Sequence, residues 1–250
     1  MKNPMIGLFL AFLFTFLQAF FQLKFYSVVF VSLLILMIGN VFLAEKFRLF
    51  IWVLGAFFLG EMIYMYTDRF LLALPFSEKI NLVMARFFLL IPIGLVTYVI
   101  YKFKKTIIPF KDRTKWGNIQ KRFIFGLLII LSVFLPSLAI RDISITAWLI
   151  ILLYSLINGT LLELLWRGIL LNQLRNLVSE KMAILFVSIA YGLSYLSFGY
   201  STLVIINYSI LGVFLGVLTI QSKSLVPAII LQIVITLCSI ITGQIPVLIV

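Results

Sequence analysis

Few side chains in this sequence could do chemistry. Its 250 residues include no histidine, one cysteine and eight acids. Without an imidazole, every mechanism that uses one as base, acid or metal ligand is excluded. What remains is a pair of carboxylates set in apolar sequence. In LLELLWRGIL, residues 161–170, Glu163 and Arg167 stand four positions apart among residues that are otherwise almost all apolar. In FFLGEMIYMY, residues 57–66, Glu61 has no cation one turn away. A carboxylate held at low dielectric could act as a general base or as an oxygen ligand.

Each of these groups also has a structural reading. On an α-helix Glu163 and Arg167 share a face one turn apart and can satisfy each other, while Arg167 could snorkel to the interface. Arg86 in the following apolar segment would pair with Glu61 if the two helices are antiparallel neighbours.

These residues must be positioned by membrane helices. The sequence is 64% hydrophobic and 11% charged, against roughly 45–50% and about 25% in soluble domains. Apolar runs of about 17–22 residues alternate with short polar breaks, the length that crosses a hydrocarbon core of roughly 30 Å. The expected fold is all-α, a polytopic transmembrane helix bundle of eight or nine spans. The spans are expected near 5–22, 26–44, 49–66, 82–101, 123–140, 145–166, 182–199, 202–220 and 225–242. The first apolar run outlasts a signal-peptide core of about 7–15 residues and reads as a retained span.

The longest polar connection, YKFKKTIIPFKDRTKWGNIQKR, carries eight cations against the single acid Asp112. The positive-inside rule makes this loop cytoplasmic, and alternation from it puts the N-terminus inside. It could also lie on anionic headgroups. It separates a front region, 1–101, from a back region, 123–250, with the loop at 102–122 between them. No repeat or low-complexity linker divides the chain, so one integral membrane domain is expected. The net charge of +12 lies between spans, which speaks for topology and lipid and against nucleic acid. Cys238 has no second cysteine to pair with and reads as a small buried residue.

Within the back region Asn158, Tyr195, Asn207, Gln232 and Thr236 fall inside spans, where side-chain hydrogen bonds can join helices. Gly212 and Gly216 form a GxxxG pair that permits close approach, either within the chain or between copies.

With Glu163, Arg167 and Gly168 in view, residues 145–240 resemble the CAAX protease and bacteriocin-processing (Abi) family of intramembrane metalloproteases. That family carries Glu-Glu-x-x-x-Arg-Gly, then Phe-x-x-x-His, a Gly-rich span and a closing His-x-x-x-Asn. LLELLWRGIL matches the first motif at Glu163, Arg167 and Gly168, AYGLSYL falls at the second, NYSILGVFLG at the Gly-rich span and SLVPAIILQIVIT at the last. The reactive positions differ. Leu162 stands for the first glutamate, Tyr195 for the first histidine, Gln232 for the second and Thr236 for the asparagine.

In the family those residues bind a metal or activate water, which takes a strong base or several ligands. Leucine, tyrosine, glutamine and threonine supply neither, so no metal or cofactor is expected. The resemblance implies a degenerate family member: a non-catalytic scaffold or regulator of a membrane or envelope partner, in bacteria linked to bacteriocin immunity. An intramembrane endopeptidase of altered chemistry, resting on Glu163, and a small-molecule or lipid transporter are the alternatives. Partner identity and oligomeric state do not follow from sequence.

Overall fold

The computed structural model describes residues 4–72, 75, 77–105, 114, 116–138 and 144–242. Lys111, Asp112, Arg113 and Lys115 of the basic loop, and Arg141, lie outside them. Among the described residues every regular element is helical: α1 Pro4–Gln22, α2 Tyr26–Gly39, α3 Glu45–Leu72, α4 Glu78–Phe87, α5 Leu90–Lys102 and α6 Gln120–Leu138. Then come α7 Ile145–Glu163, a π-helical segment Leu164–Leu170, α8 Leu171–Arg175, α9 Glu180–Leu193, α10 Thr202–Ser222 and α11 Val226–Ile241.

Sequence chemistry explains several of these boundaries. Ser144 caps α7, its hydroxyl accepting from the Ala147 amide at 3.3 Å, which satisfies one of the orphan donors of the first turn. Pro227 sits in the first turn of α11, where its missing N–H costs nothing. The fourth expected span is broken into α4 and α5 at Phe88–Leu89. Pro92 has no amide to offer the Phe88 carbonyl and crowds it, and the chain tightens there instead, with Ile91 donating to Phe88 at 2.9 Å.

Five helical stretches are long and apolar enough to cross a membrane: Pro4–Gln22, Glu45–Thr67, Lys79–Lys102, Ile145–Arg175 and Thr202–Ser222. Tyr26–Phe42 and Val226–Ile241 are shorter apolar helices. The outer faces are apolar too. α1 buries Leu10, Phe14, Leu17 and Phe21 but exposes Phe9, Phe12 and Phe16. Such faces are costly in water and cost nothing against lipid. This is an integral membrane protein.

The chain forms two compact units. One comprises Met1–Gly60, Pro92–Pro109 and Leu165–Val217. In it α1 packs on α2 and α9, and an aromatic core joins Phe14, Phe57 and Trp166, with ring centroids 6.0 Å apart for Phe14–Phe57 and 5.8 Å for Phe57–Trp166. Gly60 touches Pro92 so closely that a Cβ there would sit 2.4 Å from the proline Cα.

The other unit comprises Glu61–Ile91, Phe110–Leu164 and Leu218–Val250. In it α7 packs on α4 and α11, and α11 packs on α6. Val83, Ile151, Tyr154 and Ile240 form its core.

Candidate functional site

The residues singled out in the back region fall into two groups, one in each unit. In the unit containing α7 and α11, Glu163 and Gln232 are almost fully buried, as are Asn158 and Thr236, while Leu162 is partly exposed. Gly159 makes the meeting possible, since a Cβ there would come 2.9 Å from the backbone nitrogen of Ile233. Across this close approach the Asn158 side-chain amide donates to the Thr236 hydroxyl at 3.3 Å. The Thr236 hydroxyl donates its own proton to the Gln232 backbone carbonyl at 2.9 Å, the back-bonding common for threonine in helices. The hydroxyl is thus committed as donor and as acceptor. The side-chain carbonyl of Gln232 has no hydrogen-bond partner among the described residues.

In the other unit Arg167 is buried and lays its guanidinium over the Tyr191 ring, 4.2 Å from the centroid. The Tyr191 ring also packs edge-on to Trp166, with centroids 5.6 Å apart. Its hydroxyl is 3.1 Å from that of Tyr195. Tyr195 then stacks on Tyr208, 3.8 Å between centroids and 9° between planes. Gly199, with φ of +74°, turns the chain just beyond.

The spacing of Glu163 and Arg167 suggests one α-helical turn, but Glu163 is the last residue of α7 and Arg167 lies inside the π segment. Hydrogen bonds from i to i+5 widen the helix there, so the two side chains are not set in regular α register. Short π segments recur at functional sites. Here Leu165, Trp166, Arg167, Gly168, Ile169 and Leu170 are all buried.

Asn207 is exposed on α10, and it is the next residue, Tyr208, that joins the tyrosine cluster. Gly212 and Gly216 are covered within the chain: a Cβ at Gly212 would lie 3.0 Å from the Ser188 Cα, and one at Gly216 would lie 3.2 Å from the Ile184 side chain. Gly192 on α9 returns the contact, with a Cβ there 2.6 Å from the Ile205 carbonyl oxygen. Arg86 donates to the Tyr64 hydroxyl at 3.0 Å and lies 5.2 Å from the centroid of the Tyr154 ring.

Residues 144–238 match the family described as type II CAAX prenyl endopeptidase, Rce1-like. The matched residues make up under half of the chain, and the similarity is confined to them. The match starts at the α7 cap and ends inside α11, so the matched region holds both residue groups described above, whereas α1 to α6 lie outside it. No curated protein and no solved structure matches the chain.

A catalytic zinc of the usual kind needs three protein ligands drawn from histidine, cysteine and carboxylate. Among the described residues no three such side chains group together, and Leu162, Tyr195, Gln232 and Thr236, which the sequence resemblance matches to the family's reactive positions, include no histidine, cysteine or carboxylate. The described residues do not fit such a zinc centre.

The aromatic partners Trp166, Tyr191 and Tyr208 are what motif reading overlooked. The four-residue interval from Tyr191 to Tyr195 was a visible sign, since residues so spaced are neighbours on a helix.

Proposed function

We propose that this chain is a non-catalytic member of the CAAX protease family, acting as a membrane scaffold or regulator of an envelope or membrane protein. The observation that carries this reading is Tyr195. At the position of the family's first histidine it is stacked on Tyr208 and its hydroxyl meets that of Tyr191. A side chain so engaged serves packing, and a phenol neither accepts a proton near neutral pH nor replaces imidazole on zinc.

Glu163 and Arg167, on one continuous helical stretch, then act as structural groups. The bilayer is the first partner, the N-terminus is cytoplasmic, and the source is bacterial, with bacteriocin immunity one setting for such a regulator. Photo-crosslinking in the native membrane from lipid-facing positions such as Phe9 and Ile35 tests the scaffold role. One recurrent membrane or envelope protein is expected in the crosslinks. Lipid and random neighbours alone, together with a silent deletion, would contradict it.

A further inference from the structure

We infer that a cleft in the unit of Met1–Gly60, Pro92–Pro109 and Leu165–Val217 binds a phosphate group, that of an anionic phospholipid headgroup. This site is separate from the residues discussed above and does not depend on whether the chain cleaves peptides.

The cleft measures about 610 Å³, and Glu45, Lys46, Lys105, Asn172, Gln173 and Asn176 line it. That volume lies within the range of roughly 300–1,000 Å³ typical of small-molecule sites. Its place in the fold points to lipid. Glu45 opens the apolar stretch Glu45–Thr67, Lys105 follows the end of Lys79–Lys102, and Asn172 and Gln173 sit in the last turns of Ile145–Arg175. Three membrane-crossing stretches end at this one cleft, which puts it at the edge of the hydrocarbon layer, at headgroup depth.

Its chemistry selects an acceptor-rich anion. Gln173 is 2% exposed, yet its amide nitrogen has no hydrogen-bond partner among the described residues. A buried donor left unmade is costly, and a ligand oxygen at the cleft wall would satisfy it. Asn172, also buried, brings a second amide. At the rim Lys105 pairs with Glu45 at 3.0 Å, both about half exposed, and Lys46 adds a further cation. The lining therefore carries one positive charge in excess. Phosphate oxygens suit Lys46, Lys105 and the Gln173 amide together, while Glu45 and the amide carbonyls can accept from headgroup hydroxyls. The exposed Lys102 and Lys104, close to Lys105 in sequence, strengthen the local attraction for an anionic leaflet.

The full-length protein in maltoside detergent is titrated with phosphatidylglycerol, with phosphatidylcholine and with inorganic phosphate, and bound species are counted by native mass spectrometry. Phosphatidylglycerol is expected to bind in preference to phosphatidylcholine, and millimolar inorganic phosphate is expected not to displace it. Lys46→Ala should weaken phosphatidylglycerol about fivefold, the contribution of one cation near the interface. Gln173→Leu leaves the charge unchanged and removes the orphan donor. It should weaken the same lipid about tenfold while its melting temperature stays level or rises, a combination that a purely structural glutamine would not give.

Wild-type lipid binding in Gln173→Leu, or equal binding of the two lipids, would overturn the site. Full displacement by inorganic phosphate would overturn the lipid as its source and leave a soluble phosphate in its place. Should Gln173→Leu fail to fold, the rim variant Lys46→Ala decides, and unchanged phosphatidylglycerol binding there overturns the site equally.

Discussion

The guanidinium of Arg167 lies 4.2 Å from the centroid of the Tyr191 ring, inside a widened turn of helix in which residues 165–170 are all buried. Under the proposed reading, this contact ties the arginine matched to the family's first motif to the residue four before the position matched to its first histidine. It gives Arg167 a role in packing that needs no chemistry.

A cation over a ring contributes about 0.5–1 kcal/mol when exposed and about 2 kcal/mol when desolvated. Thermal unfolding in detergent of Arg167→Met, Tyr191→Leu and the double variant should therefore give a coupling of about 1–2 kcal/mol. Arg167→Lys should lose most of it, since the ammonium lacks the planar face that stacks, and Tyr191→Phe should keep most of it. A coupling near zero would mean that other contacts hold Arg167.

The glycines that join α9 and α10 predict a graded series. Gly192→Ala forces a Cβ to 2.6 Å from a backbone oxygen, Gly212→Ala to 3.0 Å from a Cα, and Gly216→Ala to 3.2 Å from the end of an isoleucine. Backbone cannot yield as a side chain does, so destabilisation should fall in that order, from about 3 kcal/mol to below about 1 kcal/mol. Loss of an oligomer without loss of monomer stability at Gly212 would instead make the GxxxG pair an interface between copies.

Arg86 donates to the Tyr64 hydroxyl and lies over the Tyr154 ring, and Glu61 is the countercharge expected for it from the sequence. Arg86→Met should lower folded yield by removing the countercharge, and Glu61→Gln in the same chain should restore part of it. If the second substitution restores nothing, Arg86 matters through the two tyrosines alone.

Much of this architecture was legible in the sequence because bilayer thickness leaves little freedom. Each of the nine candidate segments has a helical counterpart among the described residues, five of them in helices long and apolar enough to cross a membrane and two in shorter apolar helices, and Ser144 and Pro227 mark helix starts as their chemistry requires. Three features were not legible. Pro92 lies within a long apolar run, and only the tight turn at Phe88–Leu89 shows that its missing amide splits the span.

The π segment has no signature in LLELLWRGIL, whose four-residue spacing reads as a regular α-helical pair. Asn207 is a better candidate than Tyr208 on polarity alone, but neighbouring positions on a helix point about 100° apart, and only the second joins the cluster. At the site, the missing histidines exclude imidazole chemistry outright, whereas the stacking partner of Tyr195 and the amide that donates to Thr236 lie 13 and 78 positions away along the chain and needed the fold to find them.

The central proposal is that the family framework persists here without its peptidase. The most direct measurement offers the purified protein, reconstituted in lipid, a prenylated CAAX peptide and a panel of membrane-protein fragments, with zinc supplied and withheld, and follows cleavage by mass spectrometry beside Glu163→Gln. The account predicts no cleavage above the lipid blank and no difference between the two proteins. Cleavage that requires the wild-type chain and disappears in Glu163→Gln would contradict it.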